Sequence, residues 1–223
     1  MRLLRRWLMS CQGLYVAKTD LSRLQEGLVK TFIGAGASTL VANEKTDLKK
    51  SLLDGKESER IWTQVLKEGS VKSAVRIVPV KNTNFSHLRD GWMRAIDARG
   101  KGTEFQDEAF KQSVADFKAI MGGQGSLATG RTMLLGRGGD GALRAWVEGD
   151  AAVKVQGPTK LLIGKGERMT LLGRLEDERV SRLVWLNYIA GDSPASEQAR
   201  QSVVDGVIDL VERPIGTVET QVV

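Results

Sequence analysis

The sequence is poor in the residues that build metal centres and cross-links. Of its 223 residues, Cys11 is the only cysteine and His87 the only histidine. One cysteine cannot form an intrachain disulfide or a zinc cage of thiolates, so a reducing compartment is expected. One histidine excludes every zinc motif that pairs two histidines. His87 is therefore the single candidate for histidine-based catalysis or haem ligation, although a surface position is the more common one for such a residue.

Acidic residues are missing from the start of the chain, and long apolar runs are missing throughout. No stretch approaches the roughly 18 apolar residues that cross a bilayer, so no transmembrane segment is predicted. Before Asp20 the charged residues are all basic, and in MRLLRRWLMSCQ the arginines fall on one helical face and the leucines on the other. Such a segment is typical of a mitochondrial presequence. We therefore predict a mitochondrial protein in which residues 1–12 are a truncated presequence. The alternative is a misjudged start of the gene and a cytoplasmic protein.

The remaining composition is that of a soluble globular protein. Hydrophobic residues make up 41% of the chain and charged residues 27%, and the net charge is +6. Acids alternate with bases after Asp20, as in KESER and EDER. A nucleic-acid partner would require basic residues clustered on one face, and no such cluster is visible. We predict no nucleic-acid partner.

The hydrophobic periodicity predicts one α+β domain over residues 13–223. Four regions show the alternation of strands, and the glycine-rich GRGGDG inside one of them predicts a hairpin turn in which Asp140 is a turn residue. Several amphipathic stretches predict helices between the strands. The predicted strands are 13–18, 70–82, the hairpin at 131–149, and 169–175.

The stretch at 180–207 predicts two consecutive helices. Its first half is apolar nearly all round, and its second half carries an apolar stripe on one face. Gly191 is predicted to end the first helix. Ser193 and Pro194 are predicted to begin the second.

Few residues outside this pattern suggest chemistry. The glycines of GAGAS at 34–38 lack the following Lys-Ser/Thr of a phosphate-binding loop. Glu176, Asp177 and Glu178 suit the positive end of a helix dipole better than a catalytic role. Four of the five tryptophans are interpreted as core or pocket wall; they are Trp62, Trp92, Trp146 and Trp185.

Four stretches, taken in order and spacing, resemble the chalcone isomerase family. The resemblance covers the chain from about Gly13 to its C-terminus. DERVSRLVWLNYIAG and VERPIGTVETQVV resemble most the fungal mitochondrial branch of the altered-inheritance-of-mitochondria type. The four stretches are GLYVAK, AVRIVPVKNTNFSHLRDGW, GRTMLLGRGGDGALRAWVEG and VSRLVWLNYIAGDSPASEQARQSVVDGV.

The resemblance implies an open-faced β-sandwich, in which a large antiparallel sheet is covered by a layer of helices and the ligand pocket lies between them. Residues 180–207 would belong to the helical cover. Enzymes of the family cyclise chalcones, holding a phenolate with an arginine and a developing enolate with hydroxyl donors. Other members bind fatty acids, and mitochondrial members have been linked with haem.

The family's catalytic residues transfer poorly to this chain. The catalytic arginine has no clear counterpart, and Phe85 stands where the family has tyrosine. Only Ser181 keeps a hydroxyl, at the late-helix position, and it is the single catalytic candidate. The predicted ligand-binding residues are Ser10, Phe85, Trp92, Ser181 and Asn187, and the haem candidate is His87.

Three functions follow from the resemblance. We favour a non-catalytic protein that binds an apolar or planar ligand, of fatty-acid or haem type, between sheet and helices, with no cofactor required. The second is an active intramolecular lyase of the chalcone isomerase type. The third is a structural or interaction protein whose pocket is filled by its own side chains. The oligomeric state is not predicted.

Overall fold

A computed structural model describes residues 10–34, 40–149, 160–163 and 167–212. Most of the predicted presequence, part of the GAGAS glycines and the C-terminal tail lie outside these residues. Within them, no helix is long and apolar enough to span a bilayer. The helices are α1 Leu21–Ile33, α2 Ala42–Leu53, α3 Gly55–Glu68, α4 Phe85–Arg99, α5 Glu108–Gly122, α6 Glu178–Ile189 and α7 Glu197–Val211. The strands are β1 Ser10–Val16, β2 Ser73–Pro79, β3 Thr83–Asn84, β4 Ser126–Leu127, β5 Met133–Arg137, β6 Leu143–Glu148, β7 Lys160–Ile163 and β8 Glu167–Leu175.

One six-stranded antiparallel sheet organises the fold, in the order β1-β2-β5-β6-β8-β7. Alternate residues along β5 and β6 are buried, which gives the sheet one apolar face for the core. Trp146 lies on the opposite face and is half-buried above Gly136. A second small ladder pairs β3 with β4. The predicted strands are all present, whereas β7 and this small ladder were not predicted.

The helices form a layer on the apolar face of the sheet, and α6 lies at its centre. Helix α6 packs against α3, α4, α5 and α7 and also against β6. Every residue from Val180 to Leu186 is buried, which explains why the sequence of this helix is apolar on more than one side. Each fully buried aliphatic side chain contributes about 1.5–3 kcal/mol of transfer free energy. Helix α6 is therefore the core of the helical layer.

The GRGGDG sequence forms the predicted turn between β5 and β6. Gly138 N donates to Ala142 O at 2.9 Å, and the Asp140 carboxylate accepts from Ala142 N at 3.0 Å, so Asp140 is a turn residue. Gly141 has a φ of 81°, and a Cβ there would lie 2.3 Å from the Cβ of Glu178. Only glycine allows the turn to approach α6 this closely.

The connection between α6 and α7 differs in part from the prediction. Gly191 does end α6, with a φ of 84°. However, α7 begins later than predicted, because its N-cap is Ser196, whose hydroxyl accepts from Ala199 N at 3.2 Å. Ser193 and Pro194 lie in the preceding loop, which Ala195 N ties back to Asn187 O at 2.7 Å.

Candidate ligand cavity

A cavity of about 570 Å³ lies between the sheet and the helices. Strands β1 and β2 form one wall, and helices α1, α3, α6 and α7 form the others. This volume lies within the range of about 300–1,000 Å³ that is usual for small-molecule sites. Its inner wall is apolar and aromatic, and it includes Leu24, Trp62, Val65, Val75, Trp185 and Val207.

The cavity opens between β1 and α7. Tyr15 is 55% exposed at one side of this opening, and Ser202, Gly206 and Asp209 are exposed at the other. Gly206 has open space where a side chain would be, since no atom lies within 4 Å of an ideal Cβ. This open space beside Gly206 lies at the opening of the cavity.

Two hydroxyl groups in the cavity wall each accept a hydrogen bond from a tryptophan. Trp92 Nε1 donates to Tyr188 Oη at 2.8 Å, and Trp185 Nε1 donates to Ser73 Oγ at 2.9 Å. Tyr188 is buried, and burial raises the pKa of its phenol while the bond from Trp92 lowers it to a smaller extent. Tyr188 therefore stays protonated at physiological pH.

Trp62 also lines the cavity, but its Nε1 is fully buried and has no hydrogen-bond acceptor among the described residues. A buried N–H without an acceptor costs about 1–3 kcal/mol. Such groups are uncommon in native proteins.

Charge is sparse around the cavity. Among its described lining residues none is lysine, arginine or histidine, and Asp209 at the opening is the only acid. The described residues also contain no group of three or more histidine, cysteine, aspartate or glutamate side chains that could hold a metal ion. The described lining of the cavity is therefore suited to apolar molecules.

Ser181, the catalytic candidate, does not line this cavity. It shares a face of α6 with Trp185 but lies one turn earlier, under the hairpin turn. Its hydroxyl donates to Gly141 O at 2.6 Å and accepts from Arg137 Nε at 3.1 Å. Arg137 Nη2 donates in turn to Leu66 O at 2.8 Å. These bonds join α6, the hairpin and α3, and they leave the hydroxyl fully engaged.

The other predicted site residues are dispersed. Phe85 is buried at the start of α4, and Trp92 reaches the cavity only through its bond to Tyr188. Asn187 lies beside a separate polar depression that also includes Asp192 and Ser193. His87 is exposed on the first turn of α4 and is not a lining residue.

The backbone of Ser10 pairs with Pro79 in the sheet. The structure does not describe its side chain. None of the predicted catalytic or ligand-binding residues with a described side chain lines the cavity, although Trp92 donates to Tyr188, which does.

Ser73 and Tyr188 were not predicted. Tyr188 could have been found from its helical spacing, because it lies three residues after Trp185 on the same face of α6. Ser73 has no comparable signal, since a serine at the start of a strand is ordinary. Trp62 and Trp185 were expected as core or pocket wall, and the structure shows that they are both.

Comparison with known proteins agrees with this architecture. The family model described as "Chalcone isomerase like" matches residues 11–204. The chain belongs to this family. A crystal structure of an Arabidopsis thaliana fatty-acid binding protein superposes with a TM-score of 0.61, at 15% sequence identity, and the match covers 96% of this chain and 86% of that one. The predicted fold class is confirmed.

Several curated relatives are fungal proteins. A Debaryomyces hansenii protein, "Altered inheritance of mitochondria protein 18, mitochondrial", is 27% identical over 199 residues, which are 89% of this chain and 60% of the relative. An uncharacterised Schizosaccharomyces pombe protein is 29% identical over 192 residues, which are 85% of this chain and 61% of that protein. The chain thus spans about three fifths of the length of these relatives. The relatives named as mitochondrial bear out the predicted mitochondrial location.

Proposed function

We propose that this mitochondrial member of the chalcone isomerase-like family binds a long apolar molecule in the cavity between sheet and helices, without transforming it. The observation that carries the proposal is the cavity itself, which has a largely apolar and aromatic wall formed by β1, β2 and four helices. The structural neighbour titled a fatty-acid binding protein supports the same class of ligand.

An intramolecular lyase is the weaker alternative. Cyclisation of a chalcone needs a positive charge for the phenolate and donors for the enolate. The described lining supplies donors but no guanidinium. Arg137, which donates to the catalytic candidate Ser181, does not line the cavity. Its guanidinium is buried and also donates to Leu66 O. In an enzyme that stabilises a developing oxyanion, loss of one well-placed hydrogen-bond donor alone lowers the catalytic rate about 10²–10³-fold.

A filled pocket and a haem site receive less support. Trp62 and Trp185 line the cavity but leave about 570 Å³ open, so the tryptophans do not fill it. Haem ligation by His87 fits the geometry poorly, because this residue is exposed on α4 away from the cavity. Neutral imidazole would have to lie at the cavity wall to act as the axial ligand.

Substitution of Gly206 tests the proposal at the cavity opening. Wild-type protein should bind the uncharged dye Nile red with increased fluorescence. Gly206→Trp should weaken this binding at least about tenfold, because the indole would occupy the open space at the entrance. Gly206→Ala is the matched control. It should bind the dye as wild type does and raise stability by about 0.5–1 kcal/mol, since alanine favours the helix.

Fluorescence titration and urea unfolding measure both effects. A wild-type protein that does not bind the dye, or a folded Gly206→Trp variant that binds it unchanged, would contradict the proposed function.

A further inference from the structure

We infer that the outer face of the sheet is a docking surface for an acidic amphipathic helix of a partner protein. This face lies opposite the helical layer and carries a groove of about 410 Å³. The inference goes beyond the proposed function and does not depend on the ligand of the cavity. It is carried by the shape of the groove, by the aromatic side chains beside it and by its charge.

The groove lies over β2 and β5, between β1 and β6. The strand register places four of its lining residues in one row across these strands: Tyr15, Ala74, Gly136 and Arg144. The small residues Ala74 and Gly136 form the floor, and Tyr15 and Arg144 come from the strands at the two sides. Three spacings between neighbouring strands separate these sides, which makes about 14 Å. A helix with its side chains is about 10–12 Å wide, so the groove has room for one helix.

Two aromatic side chains supply the apolar part of this surface. The Tyr15 ring lies over Gly13, because an ideal Cβ on that glycine would be 3.0 Å from Tyr15 Cε2. The Trp146 ring lies over Gly136 in the same way, with its Cζ3 2.7 Å from the ideal Cβ. Tyr15 is 55% exposed and Trp146 is half-buried, so both side chains present apolar area to solvent. Tyrosine and tryptophan, together with arginine, are enriched among the residues that contribute most to protein–protein binding.

The concave shape favours a protein partner over a bilayer. Peripheral proteins enter a bilayer with apolar side chains that project from a surface. Ala74 and Gly136 are half-buried at the bottom of the groove and do not project. A leucine side chain on a helix can reach this floor between the two aromatic rings, which is the helix-in-groove mode of recognition.

The charge of the groove favours an acidic partner. Its described lining includes the cations Lys72, Arg137 and Arg144. Arg137 is buried, whereas Lys72 is exposed and Arg144 is half-buried, so the last two are available at the surface. The nearby carboxylates of Asp20 and Asp140 already accept from backbone amides, at 2.8 and 3.0 Å. Glutamates on the flanks of a docked helix would complement Lys72 and Arg144, and such complementarity gives specificity.

Two labelled peptides test the inference. One is a fluorescein-labelled helical peptide with leucine on one face and glutamate on the other, and the second has lysine in place of glutamate. Fluorescence polarisation should show that wild type binds the acidic peptide at least about tenfold more tightly than the basic one. Lys72→Glu combined with Arg144→Glu should reverse this preference, because the groove then carries negative charge. Nile red in the cavity should not displace the peptide.

Matched variants separate the groove from the overall charge of the protein. Arg60→Glu combined with Lys111→Glu makes the same change of net charge at exposed positions of α3 and α5, and should keep the preference for the acidic peptide. Tyr15→Ala removes an exposed ring and should weaken binding at least about fivefold. Tyr15→Phe keeps the ring and should bind as wild type does. Urea unfolding confirms that each variant is folded.

Several outcomes would overturn the inference. It is wrong if the basic peptide binds wild type as tightly as the acidic one, if the folded groove variants bind as wild type does, or if Nile red displaces the peptide. It is also wrong if the acidic peptide does not bind while vesicles of phosphatidylcholine and phosphatidylglycerol bind through Lys72 and Arg144, because the surface would then be a membrane site. The proposed function is tested separately, by the binding of Nile red alone.

Discussion

The two halves of α6 are built from similar side chains but serve different purposes. In the first half, the hydroxyl of Ser181 is engaged with Gly141 and Arg137, and Arg182 donates through both terminal nitrogens to Glu104, at 3.2 and 3.0 Å. In the second half, Trp185 donates to Ser73 Oγ and Tyr188 Oη accepts from Trp92 Nε1, and both Trp185 and Tyr188 line the cavity. The comparison teaches that one helix can tie the fold together at its start and form the wall of a cavity at its end.

Charge reinforces the same contrast. Near the first half of α6, Arg137 and Arg182 are buried and approach Glu178, at 3.6 and 3.2 Å. Burial lowers the pKa of the Arg137 guanidinium, and the charge of Glu178 counteracts this effect. The second half of α6 contributes only uncharged residues to the described lining of the cavity. Changes in the first half should therefore alter stability, and changes in the second half should alter ligand binding.

The largest effect is expected when the charge cluster loses a cation. Arg182 is 1% exposed, contacts two carboxylates, and lies over the Phe105 ring at 5.3 Å. Arg182→Met keeps much of the side-chain volume but leaves Glu178 and Glu104 without this partner. We expect a loss of about 3 kcal/mol in the free energy of unfolding, measured by urea denaturation.

Arg174→Met provides the comparison for this variant. Arg174 is an exposed residue that binds Glu176, so its loss should cost less than about 1 kcal/mol. Equal losses for the two methionine variants would show that the buried cluster has no special role.

A medium effect is expected at Ser181, and it separates the two halves directly. Ser181→Ala removes the donor to Gly141 and the acceptor of Arg137, so it should cost about 1–2 kcal/mol of stability. Binding of Nile red should stay unchanged, since Ser181 does not line the cavity. Dye titration beside urea unfolding tests both statements. Loss of dye binding in a folded Ser181→Ala protein would return this residue to the ligand site that the sequence suggested.

The fold could be predicted largely from local patterns. Alternation and helical periodicity located most elements, and the hairpin followed from its glycines. Strand β7 was not predicted. The N-cap of α7 is Ser196 rather than Ser193, because the cap is the residue whose hydroxyl meets a free backbone amide in three dimensions. Such choices depend on tertiary packing, which a local pattern does not contain.

The candidate site could not be predicted in the same way. Ser181 and Tyr188 are both hydroxyl residues of α6, and the sequence gives no reason to separate them. Their roles differ because Gly141 and Arg137 approach the first, whereas Trp92 approaches the second from one side and the cavity lies on the other. Contacts between residues so distant in sequence decide whether a donor is already used. Family resemblance located the helical cover correctly, and it pointed to Ser181, which does not line the cavity.

The smallest effect concerns the pH dependence of the first half. A hydrogen bond from Arg182 is the main cause that lowers the pKa of Glu104 to about 2, against the opposing effect of burial. Because the folded pKa lies below the unfolded value, the folded state binds fewer protons between these two pKa values. This contribution to stability is therefore complete above the unfolded pKa and is lost as the pH falls towards about 2. Glu104 is 41% exposed, so solvent screening should keep the effect below about 1 kcal/mol.

Urea midpoints for wild type and Glu104→Gln should differ at neutral pH and converge on acidification. Glu108→Gln, which removes an exposed carboxylate paired with Lys111, should follow the wild-type curve more closely at every pH. If the wild-type and Glu104→Gln curves stay parallel down to pH 2 (about the folded pKa), the carboxylate does not stabilise the fold through Arg182, and the contrast between the two halves of α6 would rest on packing alone.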